Sequence, residues 1–322
     1  MNEEDRALRE WIKTMPQEAP DTDTEFHRGV EDIDVRLIDW PANPYKAMFT
    51  IATSTWGGVY QTYKWAEAEP EARLFVVKAV LNRKSLPNAM EAPSFTFEIA
   101  GPSRSAFDQI ARARIGAVFG SMGWRDNNHS NIGFRVPESI YQDGDRLIRF
   151  MQACKVAKDA YVDELATGQS NWQDARAVLP ISACHRWSMG INYMALQNFM
   201  SKRLMFSEQA DTVATAWLMR REIRIRFPLL ASYLRPASDH ARRCLEHGDQ
   251  IGESFHNLFQ CSGRWPCEQT GDKYTFNTAC TDRETIMGQL GMHIPRGNEE
   301  MPDPEITLAQ LDSSDRAYFL ED

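Results

Sequence analysis

The feature that most constrains the fold is an alternation of apolar and polar side chains over residues 94–99, Ser-Phe-Thr-Phe-Glu-Ile. A two-residue period of this kind is typical of a strand with one buried face. Gly101 and Pro102 follow as a turn signal, and Ser105 then precedes an acidic residue by three positions, a spacing like that of a helix capping box. The succession of strand, turn and helix, with the helix running to about Arg114, predicts an α/β (α+β) fold.

Two further helices are predicted downstream. Residues 146–166 carry apolar side chains at helical spacing and predict one amphipathic helix. Residues 192–227 predict a single long helix, which ends at Pro228 because proline breaks a helix. The predicted domains are an irregular acidic entry segment over residues 1–45, one continuous domain over 46–260, and a loosely packed C-terminal extension over 261–322.

Composition places the chain among ordinary globular proteins. Its 322 residues are 43% hydrophobic and 25% charged, values that exclude a disordered, collagen-like or coiled-coil protein. The 36 basic and 45 acidic residues give a formal net charge of −9, which argues against a protein that works mainly by holding duplex nucleic acid. The first residues lack the pattern of a secretory signal and no apolar run could span a membrane, so we expect a cytoplasmic protein.

Arginines and amides crowd around the end of the first predicted helix. Gln109 and Arg112 lie three positions apart, and Arg114 follows at the helix exit. Residues 121–129 then form a loop rich in hydrogen-bond donors. Guanidinium groups in such a place could hold phosphates in a forked geometry. Surface ion pairs with the abundant acidic side chains are the alternative interpretation.

The long predicted helix contains a second polar group. Asn192 and Arg203 are eleven residues apart, which is three helical turns, so they share one face with apolar side chains between them. An arginine on an apolar stripe requires a partner, because burying an unpaired guanidinium costs several kcal/mol. Glu208 or Asp211 could supply that carboxylate.

Four motifs occur in a recognisable order along the central region. They are Phe95-Thr-Phe-Glu-Ile99, Gln109-x-x-Arg112-x-Arg114, Leu179-Pro180 followed by Arg186, and Asn192-x5-Asn198-x4-Arg203-x5-Gln209. In order and spacing they resemble the flavin-dependent thymidylate synthases over about residues 85–235. The resemblance implies conversion of dUMP to dTMP with FAD, NADPH and methylenetetrahydrofolate. It also implies a mixed sheet flanked by long helices, and a homotetramer with active sites between subunits.

Position by position, the resemblance implies a role for each matching side chain. The FAD-binding residues would be Arg112, Arg114, Asn192 and Asn198. The nucleotide-binding residues would be Gln109, Ser121, Arg125, Arg186 and Arg203. Arg203 would also be the catalytic residue, because a guanidinium against the pyrimidine ring stabilises negative charge as it develops and makes C5 nucleophilic without an enzyme thiolate.

The stretch after Arg112 departs from the family signature. Ala113 stands where the family has a histidine, Phe119-Gly120 falls on its Asn-Glu pair, and Ala92 replaces a second histidine. A rebuilt loop beside the base suggests a changed substrate or one-carbon unit, for example dCMP for dUMP or hydroxymethyl for methyl. A relative without catalysis that binds a nucleotide or nucleic acid is the remaining alternative.

Three smaller patterns permit other interpretations. Cys184-His185 is similar to the Cys-His pair of the unrelated classical thymidylate synthases, in which a thiolate attacks C6 of the base. The alternative interpretation is that both side chains serve packing. His240 with Cys244, and Cys261 with Cys267, could close a structural zinc site, with reduced cysteines as the alternative. The basic run over residues 220–226 is interpreted as a solvated face or a subunit contact rather than a nucleic-acid site.

Overall fold

An antiparallel sheet of four strands forms the centre of the fold. The computed structural model of the chain describes residues 25–236, except 29, 31, 142 and 205–207, and residues 306–321. The strands are β1 (Phe26–His27), β2 (Asp34–Asp39), β3 (Ser94–Ser103), β4 (Ala117–Ser121), β5 (Phe134–Arg135) and β6 (Cys184–Asn192). The central sheet has the order β2, β3, β6, β4 with every neighbouring pair antiparallel, and β1 pairs with β5 in parallel.

Helices pack on one face of this sheet in the described part of the chain, whereas alternate residues of its strands on the other face are exposed or half-buried. They are α1 (Pro44–Ala52), α2 (Gln61–Glu67), α3 (Pro70–Leu81), α4 (Arg104–Ile110), α5 (Glu138–Tyr141), α6 (Gly144–Ala166), α7 (Trp172–Ala175), α8 (Tyr193–Arg203), α9 (Ala210–Arg226), α10 (Pro228–Ser232) and α11 (Ser313–Leu320). Short 3-10 helices lie at Pro87–Glu91, Arg176–Val178 and Leu308–Gln310. The predicted α/β (α+β) class is therefore confirmed, with the antiparallel and parallel strand pairs of the described residues in two separate sheets rather than in one mixed sheet. Among the described helices, none is both long and apolar enough to cross a membrane.

The main core lies between one face of the sheet and α9. The predicted strand is β3, and its Phe95, Phe97 and Ile99 are completely buried, as the alternation requires. On the neighbouring β6, Trp187 and Met189 point to the same side. Fully burying a side chain of this size stabilises a fold by roughly 1.5–3 kcal/mol. The buried face of the sheet is thus apolar, and α9 packs against it.

The predicted helix boundaries are corrected at two places. The helix predicted over 146–166 is confirmed as α6. The helix after the Gly-Pro turn begins after Ser103, whose side chain caps it, and ends at Ile110 rather than near Arg114. The single helix predicted over 192–227 is wrong, because the chain forms α8 and α9 with a break between them. At that break, the side chains of Gln209 and Asp211 form hydrogen bonds with Ser103 at the start of α4.

Both predicted terminal segments contain ordered structure. The interpretation of residues 1–45 as irregular is wrong for 34–39, which form β2 and pair with β3. The loose packing expected for the C-terminal extension is wrong for α11, where Phe319 is 0% exposed. Arg73 donates to the carbonyls of Phe319 and Glu321 at 2.9 and 2.8 Å, which holds the end of α11 against α3. The domain boundaries at 45 and 260 stay predictions.

Asp315 fastens α11 to the rest of the fold. Its Oδ1 accepts a hydrogen bond from the Tyr45 hydroxyl on α1, and its Oδ2 accepts one from the Leu229 backbone N–H at 2.5 Å. Burial disfavours the charged carboxylate and raises the pKa of Asp315 to about 7. The group is therefore protonated in the folded chain at pH values where it is ionised in the unfolded chain.

This difference predicts a pH dependence of stability. Because the folded state holds the Asp315 proton more tightly, its contribution to the free energy of unfolding falls as pH rises from about 4 to about 7, by at most about 1.4 kcal/mol per pH unit. Asp315→Asn removes the titration and should flatten this part of the curve. Thermal unfolding of both proteins between pH 4 and 8 measures the effect. Parallel curves for the two proteins would contradict the assignment.

Candidate functional site

A network of buried hydrogen bonds joins the start of α4 to the start of α9. Ser103 caps α4 by accepting from the Ala106 N–H at 3.1 Å. Its own N–H and hydroxyl donate to Asp211 Oδ2 at 3.0 and 2.6 Å. Gln209 Nε2 also donates to the Ser103 hydroxyl, at 3.2 Å. These bonds draw the first turn of α9 onto α4 and explain why the helix breaks after α8.

The same network orients the amide of Gln109. Gln109 Nε2 donates to Gln209 Oε1 at 2.9 Å, and the Ser105 hydroxyl donates to that same oxygen at 2.8 Å. The Thr212 hydroxyl lies 3.4 Å from Gln109 Oε1. Gln109, expected to bind the nucleotide, therefore has much of its side-chain bonding capacity engaged inside the protein.

Arg203 lies where α8, α4 and the start of α9 meet. Its Nη1 is 2.5 Å from Glu208 Oε2, and its Nη2 donates to the backbone carbonyl of Gln109 at 2.5 Å. The Arg203 and Glu208 side chains are only 15% and 10% exposed. Of the two carboxylates that the sequence offered as partners, Glu208 takes this role, whereas Asp211 is bonded to Ser103. The structure thus joins two predicted residues, Gln109 and Arg203, through a main-chain oxygen.

A tight turn brings the predicted cofactor residues together. Arg112 and Arg114 are exposed in the turn after α4. Gly116 has a φ of +71°, and a Cβ there would lie 2.7 Å from Asn192 Nδ2, so glycine is required by both conformation and space. The Asn192 N–H donates to the Gly116 carbonyl at 2.9 Å, and its side chain caps α8 by accepting from Ala195 N at 2.8 Å. The backbone of this turn therefore lies against Asn192 at the start of α8.

The remaining predicted residues lie on β4, β6 and α8 and in the loop after β4. Arg186 is exposed on β6, on the same face of the strand as Asn192 and about 20 Å along it. Ser121 is exposed at the end of β4, next to the Met122 N–H that donates to the Arg186 carbonyl at 3.0 Å. Arg125 and Asn198 are also exposed. Within the single chain, Ser121 thus lies near Arg186, and Asn192 lies near the turn that contains Arg112 and Arg114.

Sequence reasoning missed an aromatic and histidine cluster that anchors the loop after β4. Trp124 Nε1 donates to His185 Nδ1 at 2.9 Å, and His129 donates its backbone N–H to the Tyr161 hydroxyl at 3.0 Å. Arg104 Nη1 lies 3.2 Å from His185 Nε2. The only signal in the sequence was a tryptophan and two histidines near predicted loops, which did not identify their contacts.

Both histidines of this cluster are neutral at physiological pH. Burial lowers the pKa of His129 to about 4. Burial, together with the nearby charge of Arg104, lowers the pKa of His185 to about 4 as well. The neutral His185 ring therefore accepts the Trp124 hydrogen bond, and the neutral His129 ring packs against Trp124 with ring centres 5.2 Å apart.

The sequence also suggested a nucleophilic Cys184 and a structural zinc site. Burial raises the pKa of the Cys184 thiol to about 12, which argues against a reactive thiolate. In the described part of the chain, no cluster of His, Cys, Asp and Glu side chains could hold a metal ion. The proposed zinc ligands between His240 and Cys267 lie outside the described residues.

The basic run on α9 is not uniformly solvated. Arg220 is buried, and its Nε donates to the carbonyls of Ala231 and Leu234 at 3.2 and 3.0 Å. The interpretation as a solvated face is therefore wrong for Arg220, which ties α9 to α10. Arg226 lies over the Trp40 ring, 4.1 Å from its centre.

The chain is similar to known proteins over its central region. Residues 36–229 match the model of the family described as thymidylate synthase complementing protein. A flavin-dependent thymidylate synthase of Nitratidesulfovibrio vulgaris is 30% identical over 188 residues, which cover 56% of this chain and 72% of that protein. One from Pyrococcus abyssi is 28% identical over 225 residues, covering 66% and 87%.

A solved structure shares the fold. The UMP/dUMP methylase PolB from Streptomyces cacaoi, bound with 5-Br dUMP, superposes with a TM-score of 0.53 at 19% sequence identity, covering 65% of this chain and 96% of that chain. Gln109, Arg112, Asn192 and Arg203 all lie within the matched residues. The chain therefore belongs to the thymidylate synthase complementing protein family, the family of the flavin-dependent thymidylate synthases.

Proposed function

We propose that this protein is a methyltransferase that adds a methyl group to C5 of a pyrimidine deoxynucleotide, converting dUMP to dTMP with FAD. The observation that carries the proposal is Arg203, held at two N–H positions in a sheltered place by Glu208 and the Gln109 carbonyl. A fixed guanidinium is suited to an electron-rich ring edge, where it stabilises developing negative charge. Relatives named flavin-dependent thymidylate synthase support the same reaction.

The turn around Gly116 fits a phosphate-bearing cofactor. Arg112 and Arg114 are exposed there, and the Gly116 carbonyl two residues after Arg114 accepts from the N–H of Asn192, the cap of α8, at 2.9 Å. Guanidinium groups and a helix N-terminus both favour bound phosphate. Arg112 and Arg114 would therefore hold the FAD phosphates, and Asn192 and Asn198 would contact the flavin. When bound, FAD would supply the redox chemistry, with NADPH and methylenetetrahydrofolate as co-substrates.

The nucleotide is proposed to lie between the remaining predicted residues. Arg186, Ser121 and Arg125 would hold its phosphate through charge-assisted hydrogen bonds. Arg203 would orient the pyrimidine and favour nucleophilic C5, and Gln109 would act mainly by placing its carbonyl against Arg203. As the family resemblance implies, the complete site is proposed to form between subunits of a homotetramer, in the cytoplasm.

A different base or one-carbon unit is the alternative within this function. The family's Asn-Glu pair falls on Phe119-Gly120, and the Phe119 ring packs edge-on against Phe107 at 6.3 Å. That position therefore serves packing instead of presenting an amide to a nucleotide. A dCMP substrate or transfer of a hydroxymethyl group would be compatible with this change.

The direct test is turnover by the purified protein. The unaltered chain should be yellow with bound FAD, and it should convert dUMP to a product heavier by one CH2 unit, a methyl group in place of the C5 hydrogen, when supplied with NADPH and methylenetetrahydrofolate. Mass spectrometry of the nucleotide identifies the product. Parallel reactions with dCMP and with UMP decide the base and sugar. A colourless protein that alters none of the three nucleotides would refute the proposal.

Two arginine variants should separate cofactor binding from chemistry. Arg203→Ala should keep FAD but lose activity by at least about 100-fold, because an electrostatic contact to the reacting ring is removed. Arg112→Ala should lose FAD, because one of two phosphate-binding guanidiniums is gone. Absorbance spectra measure the flavin content and initial rates measure turnover. The exposed Arg149 on α6 gives a matched control, Arg149→Ala, which should retain both properties.

Cys184 should be dispensable. Cys184→Ser removes the thiol and keeps a side chain of similar size, and its kcat/KM should stay within about threefold of the unaltered protein because no thiolate step is used. Loss of turnover with flavin still bound would instead favour a covalent mechanism through this thiol.

A further inference from the structure

Glu208 reaches Arg203 only because the chain breaks between α8 and α9. In a continuous helix, residues five positions apart point about 140° away from each other. Arg203 is the last residue of α8, and Glu208 precedes α9. The break allows their side chains to approach to 2.5 Å. The pair is thus a product of the tertiary fold and not a local helical ion pair.

The other side of Arg203 is held just as firmly. Its Nη2 donates to the Gln109 carbonyl near the end of α4, and the Gln109 side chain is itself bonded to Gln209. Glu208 and Gln209 are adjacent, so the same short segment holds Arg203 directly and Gln109 through its amide. Two of the five guanidinium N–H groups are engaged by these contacts. The remaining N–H groups therefore have a defined orientation.

Sheltering makes this contact stronger than an ordinary surface ion pair. Exposed pairs contribute little because water screens them, and the Arg221–Glu222 pair on α9 is of that kind, at 3.5 Å with an Arg221 side chain 50% exposed. The Arg203 and Glu208 side chains are 15% and 10% exposed. A charge-assisted hydrogen bond in such surroundings restricts the arginine to one geometry.

We propose that Glu208 is a positioning residue that aims Arg203 at the pyrimidine ring. The inference rests on the proposed function, since Arg203 is the group that touches the base. Glu208 acts through Arg203 and makes no contact with the reacting atoms. Without it, the guanidinium keeps its charge and its bond to the Gln109 carbonyl but loses one of its two fixed contacts and can turn about the other, and a misplacement of about 1 Å can cost about 100-fold in rate.

Glu208→Ala and Glu208→Gln test this role in the flavin-loaded full chain. Glu208→Ala should lower kcat and kcat/KM by the same factor, about 100-fold, with the KM for dUMP and the FAD content unchanged. Glu208→Gln keeps an acceptor without the charge and should lose less. Glu222→Gln is the matched control and should retain full activity. Wild-type kcat in Glu208→Ala, or an equal loss in Glu222→Gln, would overturn the proposal.

Chemical labelling provides a readout that does not depend on turnover. Phenylglyoxal modifies accessible arginines, and mass spectrometry of peptides reports the rate at each position. Arg203 should react slowly in the unaltered protein and several times faster in Glu208→Ala, while the exposed Arg112 reacts equally in both. An unchanged Arg203 rate would show that Glu208 does not hold it. Failure of the proposed function is distinguishable, because it appears as no turnover by the unaltered protein.

Discussion

The pairing of β3 with β6 is the constraint on which the rest of the structure depends. The two strands are antiparallel neighbours at the centre of the sheet, and Phe97 lies opposite Met189 on the buried face. α4 follows directly from the end of β3, and α8 follows directly from the end of β6. The register of this one pair therefore determines where both functional helices begin. A slip by one residue would turn the apolar side chains of a strand outward, so the inner face of the sheet strongly specifies the register.

Polar side chains then connect the helices that the sheet has placed. Asp211 and Gln209, at the beginning of α9, bond to Ser103 at the beginning of α4. Buried groups of this kind are costly when unpaired, so the network favours one arrangement of the helices over others. The same arrangement brings Arg203 against Glu208, which makes the stability of the helix junction and the geometry of the proposed catalytic group two consequences of one set of contacts.

The loop after β4 is held by aromatic packing and by a hydrogen bond to a histidine. Where the family signature has polar residues, this chain packs Phe119 against Phe107 and fastens Trp124 to His185. Burial and the nearby charge of Arg104 keep His185 neutral, so the Trp124 hydrogen bond that holds the loop is made to an uncharged ring. A loop stabilised by packing and neutral hydrogen bonds can support a nucleotide site whose base contacts differ from those of relatives, which is why dCMP and hydroxymethyl transfer belong in the turnover test.

The sequence alone determined the elements whose periodicity reflects burial. The alternation before Gly101 predicted β3 correctly, and apolar spacing predicted α6. The free-energy cost of burying an unpaired guanidinium predicted a carboxylate partner for Arg203. The roles of the arginines and asparagines came from the family resemblance and stay predictions. Only the tertiary structure decided that the predicted long helix breaks and that Glu208, not Asp211, pairs with Arg203. The physical reason is that local spacing reports which face of an element is buried, whereas the bonds at the junction join residues about 100 positions apart, whose meeting depends on the pairing of distant strands.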